Sequence, residues 1–218
     1  AHRELALTLT ERLRVEALRS VRARPVERGG LLVPGGGRAG GGAPGQADER
    51  LAEAETFAQS ALRWFERYGD SHELARAYRV AALIEMYRGS GAAVAGFGRA
   101  LALLSPTALA RPRLLAELSR AYLIAGESPN EACAAAIAAR DAGCQVQLTR
   151  SDHIAIELSC AELFEAQGEP DEARAAVVRA RDLLLAGADL CRDPDIQRRF
   201  VEGVADHLHV LALAARWE

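Results

Sequence analysis

Three stretches of this chain can be laid over one another, and that self-similarity constrains the fold more than any other feature. They are "MYRGSGAAVAGF" around Gly89, "YLIAGESPNEACAAA" around Gly126 and "FEAQGEPDEARAAV" around Gly168. Each joins an apolar helix end to a glycine, a short turn of small or polar residues, and an alanine-rich helix. The glycines lie 37 and 42 residues apart. Seven residues before each stands a small residue, Ala82, Ser119 or Ala161, and five or six after it come Val94, Ala132 and Ala173. Small residues at those offsets let two paired helices approach closely. A period of this length with this pattern marks a helical repeat array.

Composition agrees. Half of the 218 residues are apolar and only 5% are aromatic. Alanine has the best helix propensity, and the β-branched and aromatic runs that strands require are scarce. From Asp48 onward every segment reads as helix. Helices are expected over 48–68, 72–88, 92–104, 110–125, 130–142, 150–167 and 171–187, with a last one over about 194–216. Asp171 and Asp193 occupy expected N-cap positions, the second directly before Pro194.

The first part of the chain reads differently. Residues 2–23 place Leu5, Leu9, Leu13, Leu18 and Val21 at helical spacing, and Pro25 with Gly29–Gly30 stops the pattern. Residues 1–38 hold eight Arg against four Glu, so this segment is basic within a chain of net charge −3. The stretch 29–45 contains nine glycines and is expected to be a flexible linker whose deletion leaves the helical fold intact. The predicted organisation is an amphipathic helix over 1–28, a glycine-rich linker over 29–46 and a helical-repeat domain over 47–218.

The corner at residues 163–184, "LFEAQGEPDEARAAVVRARDLL", resembles a tetratricopeptide repeat through Ala161, Phe164, Gly168, Ala173, Val177 and Ala180. The corner before it matches through Ser119, Tyr122, Gly126 and Ala132. The spacing is longer than the family's own, which is similar to the degenerate repeats of large bacterial signalling and regulatory proteins. The resemblance implies an all-α fold, a right-handed solenoid of antiparallel helix hairpins with a C-terminal capping helix.

Several chemistries are excluded or disfavoured by residue type. The chain contains no lysine, so a phosphate-binding P-loop, a kinase core and Schiff-base catalysis cannot operate within it. The four glycines of "EMYRGSGAAVAGFG" (85–98) fail as a dinucleotide fingerprint, because Val94 stands where a third glycine or alanine belongs. They are expected to form a corner between helices. His153 and Glu157 share a helix face at a spacing that metal sites use, without a visible third ligand. His207 and His209 point to different faces and are expected to be surface or capping residues. Cys133, Cys144, Cys160 and Cys191 show no metal-ligand spacing and are expected to be reduced core residues. Trp64 and Trp217 are expected to anchor packing at the two ends of the array.

The expected function is therefore a protein- or peptide-binding regulatory module, part of a larger bacterial signalling or transcription-regulating protein. No covalent chemistry, cofactor, metal or direct nucleic-acid contact is expected, and the expected location is the cytoplasm. A small-ligand or peptide-pheromone sensor is the alternative, and a metal-dependent enzyme is the third. Counting back from the corner glycines places Arg76 and Arg79, then Arg113 and Arg120, then Glu162 on the helix faces that line the groove of such a solenoid. Arginine forks suit carboxylates, so the expected partner is an extended acidic segment.

Overall fold

The computed structural model describes residues 44–126 and 128–217, and the predicted helix at 1–28 and most of the glycine-rich segment lie outside them. Among the described residues there are nine helices and no strand. The chain divides into two compact units, Ala1–Ser105 and Pro106–Glu218.

In the first unit, α1 (Pro44–Tyr68), α2 (Ser71–Tyr87) and α3 (Ala92–Ala102) pack in sequence, α1 against α2 and α2 against α3. Helix α1 opens at Pro44 rather than at Asp48. Asp70 starts α2, its carboxylate accepting the Glu73 N–H at 2.9 Å. The helix closes on Gly89, whose φ of 70° is the left-handed conformation that glycine adopts without steric cost. There the Ser90 N–H reaches back to the Glu85 carbonyl and that of Gly89 to Met86, so carbonyls orphaned by the helix end are satisfied. The core is apolar and fine-grained: Ala75, Ala82, Ile84, Met86, Ala93, Phe97 and Ala100 are all buried. A Cβ added at Gly96 would sit 2.8 Å from the Cβ of Ala82, which shows how closely α2 and α3 approach.

The second unit contains α4 (Arg111–Ala125), α5 (Pro129–Gln145), α6 (Arg150–Gln167), α7 (Pro170–Ala188), α8 (Pro194–Glu202) and α9 (Ala205–Ala215). Its closest pairs are α4 with α5 and α6 with α7, while α4 also lies against α6. Gly126 and Gly168 close α4 and α6 in the left-handed conformation, at φ 65° and 76°. Prolines open α5, α7 and α8 at their first or second positions, where the missing N–H costs nothing. Helix α6 is the centre: Ile154 through Leu163, Glu157 excepted, is buried. Ile154 and Leu158 pack with Leu184 of α7 and with Val210 and Leu213 of α9. Each such side chain contributes about 1.5–3 kcal/mol on burial.

Several expectations change. The last helix is two, α8 and α9, because the chain breaks at Gly203 and Val204. A Cβ at Gly203 would lie 2.3 Å from the Arg199 carbonyl oxygen, and Val204 is extended. Asp193 does cap α8, accepting the Asp195 and Ile196 N–H groups. Asp171 is not a cap: α7 begins at Pro170 after Glu169, so Asp171 falls inside the first turn. There its charge still suits the positive end of the helix dipole. Of the cysteines, all free, Cys160 is buried but Cys144 is exposed. Trp64 is 37% exposed, with its ring edge-on to Phe65 and its centroid 5.7 Å from that of Tyr68. No described helix is long and apolar enough to cross a membrane.

Candidate functional site

Arg113, Glu117 and Arg120 follow one another on α4 at steps of four and three residues, so they share one helix face. That face meets Glu162 of α6 and the first turn of α9. Arg120 grips Glu162 with two bonds, Nε to Oε2 at 2.8 Å and Nη2 to Oε1 at 3.1 Å. Its remaining Nη1 donates to Oδ1 of Asp206 at 2.9 Å. Arg113 donates Nε to Glu117 Oε1 at 2.8 Å, Nη2 to the other oxygen of Asp206, and Nη1 to the Ser151 carbonyl at 3.1 Å. Asp206 is thus held by two guanidinium groups at once, one on each carboxylate oxygen. His209, one turn further along α9, places Nδ1 3.3 Å from Glu162 Oε1.

All of this is shielded from water. Glu117 and Glu162 are 2% and 3% exposed, and the two arginine side chains only 13% and 14%. Burial alone would push the Asp206 carboxyl up, but Arg113 and Arg120 outweigh it and hold the group well below the carboxylate range. Burial works against the charge on Arg113 too, and Asp206 and Glu117 more than compensate, raising it. Two arginines face three buried carboxylates, with Asp152 at the rim 4.0 Å from Arg113. The sixth member, His209, is pushed down by burial more strongly than Glu162 raises it, so burial works against a charged ring even beside that carboxylate. His207 is fully buried against Phe200. Its Nδ1 donates to the Phe200 carbonyl at 2.7 Å, and its Nε2 has no partner among the described residues.

The sequence-derived groove residues are therefore divided. Arg113, Arg120 and Glu162 converge, and they face one another and Asp206 rather than open solvent. Arg76 and Arg79 belong to α2 of the first unit. Arg76 is 3.7 Å from Glu73 and half exposed, and Arg79 is partly buried with an interaction of its own. His207 and His209 are buried, contrary to their expected surface position, because α9 is covered on both sides. His153 is exposed, and Glu157 serves as a bridge between helices, accepting from Arg140 of α5 at 3.3 Å and from Arg179 of α7 at 2.9 Å. Among the described residues, no group of three or more His, Cys, Asp or Glu side chains is placed to hold a metal ion. The residues "EMYRGSGAAVAGFG" span the end of α2, the turn at 88–91 and the start of α3.

No protein-family model matches the chain, and no curated protein matches it.

Sequence reasoning missed Asp206, Glu117 and His209. Glu117 carried a usable signal, since it sits between two selected arginines on one helix face. Asp206 carried none, being 93 residues from Arg113 and 86 from Arg120.

Proposed function

We propose that this chain is an interaction module of the tetratricopeptide kind, which recognises a protein or peptide segment without covalent chemistry and serves a larger bacterial signalling or transcription-regulating protein. The observation that supports this most is the recurrence of one corner. Gly89, Gly126 and Gly168 all adopt the left-handed conformation at the end of a helix, and each is followed by a second helix packed on the first. In the second unit the opening helices α4 and α6 also lie side by side, as successive repeats require. The test is a binding screen of the intact chain against acidic and basic peptides at low and moderate salt. Acidic peptides are expected to bind saturably and to weaken as salt rises. A screen without a saturable binder at millimolar peptide contradicts the proposal.

The sensor reading draws on Asp206. An incoming carboxylate that took over the forks of Arg113 and Arg120 would release the first turn of α9, and binding would shift the second unit between two states. Ligand-dependent compaction in solution scattering separates this reading from a passive scaffold.

A further inference from the structure

Helix α1 carries an aromatic stripe that α2 leaves open. Phe57, Ala61, Trp64 and Tyr68 stand at steps of four, three and four residues, so they line one face of the helix. The row that packs with Ile84 of α2 is a different one, made of Leu51, Ala54 and Ala58. Phe57 is 38% exposed and Tyr68 62%, and Trp64 between them is exposed to the same degree as Phe57. Three large rings side by side differ from apolar residues scattered singly over a surface, and mark a contact. By helical spacing, Glu53 and Arg67 flank the stripe on the side away from the buried row, and both are exposed. Neither has an oppositely charged partner among the described residues. The Arg67 guanidinium lies only over the Tyr68 ring, 5.2 Å from its centroid.

We propose that α1 pairs with the α1 of a second copy of this chain, antiparallel about a two-fold axis at Ser60 and Ala61. Phe57 and Trp64 are centred midway between those two residues, and Glu53 and Arg67 are centred on Ser60. A two-fold axis there sets Phe57 of each copy level with Trp64 of the other. It also sets Glu53 of each copy within about 1.5 Å, along the helix, of Arg67 of the other. Both charges lie on the same flank of the stripe, so the reversal brings opposite charges together twice. A parallel pairing would instead oppose Glu53 to Glu53 and Arg67 to Arg67. Ala61, small and on the stripe, lets the two helices approach at their crossing. A face whose charges become their own complement on reversal fits a second copy, whereas a foreign partner imposes no such symmetry.

A contact made by one helix of each copy belongs to the small class of interfaces, below about 1,200 Å² in total, so sedimentation of the full chain is followed from about 5 µM to about 500 µM. A monomer–dimer equilibrium that weakens as salt rises is expected. Glu53→Arg and Arg67→Glu each oppose like charges twice and should weaken dimerisation by at least about tenfold, and the two together should restore it to within about threefold. Trp64 and Trp217 are the two tryptophans of the chain, so in Trp217→Phe the emission reports on the stripe alone. It should move to shorter wavelength as the dimer forms. A dimer that neither reversal weakens, or single variants that the double variant does not rescue, overturns the contact. A chain that stays monomeric overturns it too. Emission already that of a buried indole then means that the chain covers its own stripe, through the leucine pattern of residues 2–23, and emission of an exposed indole gives the face to a different protein. None of these results decides the module reading, which stands or falls with the peptide screen.

Discussion

Helices α2 and α3 of the first unit meet where Ala82 lies against Gly96, and α4 and α5 of the second meet where the Ser119 hydroxyl donates to the Ala132 carbonyl at 2.8 Å. The same corner is thus closed by bare backbone approach in one unit and by a buried hydrogen bond in the other. The contrast extends through both units. Every buried polar or charged side chain among the described residues, from Glu117 to His209, belongs to the second unit. The first keeps its charges outside, as in the pair of Arg88 with Glu55 at 2.8 Å, where both side chains are about one-third exposed. A repeat made of small residues packs on van der Waals contact alone. A unit with carboxylates and guanidiniums inside must satisfy every one of them, and so depends on each partner being present.

The largest expected effect comes from removing Asp206. Asp206→Ala leaves one Nη group on each of two buried guanidiniums without its acceptor and should destabilise the second unit by about 1–3 kcal/mol for each of the two donors in urea unfolding. Hydrogen exchange should quicken in α4, α6 and α9 and stay unchanged in α2 and α3. Glu55→Ala, the matching change on the surface of the first unit, should cost no more than about 1 kcal/mol. Equal costs for the two would erase the contrast.

The two closures of the corner can be compared directly. Gly96→Leu forces a side chain into the contact with Ala82 and should cost about 1–3 kcal/mol, the usual overpacking penalty. Ser119→Ala removes one buried hydrogen bond and should cost about 1 kcal/mol. If Gly96→Leu leaves the denaturation midpoint in place, α2 and α3 do not approach as described.

These corners were the legible part of the chain. A glycine that ends a helix in the left-handed conformation is a local event, so Gly89, Gly126 and Gly168 showed themselves through their immediate neighbours. Counting back from them also put Arg76, Arg79, Arg113, Arg120 and Glu162 on the groove face, and of these Arg113, Arg120 and Glu162 converge on one another and on Asp206. What those residues face was not legible, because Asp206 and His209 arrive on a helix far along the chain. The turn at Gly203 that delivers them interrupts a pattern which otherwise reads as one continuous helix. His207 and His209 misled for a related reason: two residues apart on a helix does imply different faces, but here both faces are covered.

Acid should separate the units by a smaller margin. Burial holds His207 and His209 below their ordinary value of 6.5. As pH falls below about 6.5 the unfolded chain takes up protons that the native state refuses, so stability declines. His209 is faced by Glu162, Arg120, Asp206 and Arg216, and His207 by the Phe200 carbonyl, Asp206 and Arg113. The Asp206 contribution, whose native carboxyl lies below its ordinary 3.8, persists to more acid pH and is lost as pH falls through the carboxylate range. Exchange protection measured from about pH 7 to pH 5 should therefore fall in the second unit before the first. A decline that begins in the first unit would contradict this ordering.

The central claim is that Asp206 and the arginines of α4 act as one buried unit, and a double-mutant cycle measures that coupling directly. Urea unfolding of Arg120→Met, Asp206→Asn and the double variant should give a coupling of about 1–3 kcal/mol, with the surface cycle of Arg88 and Glu55 below about 0.5 kcal/mol. Additive costs for Arg120 and Asp206, within about 0.5 kcal/mol, would mean that the two side chains do not share a network and that the second unit is held by its apolar core alone.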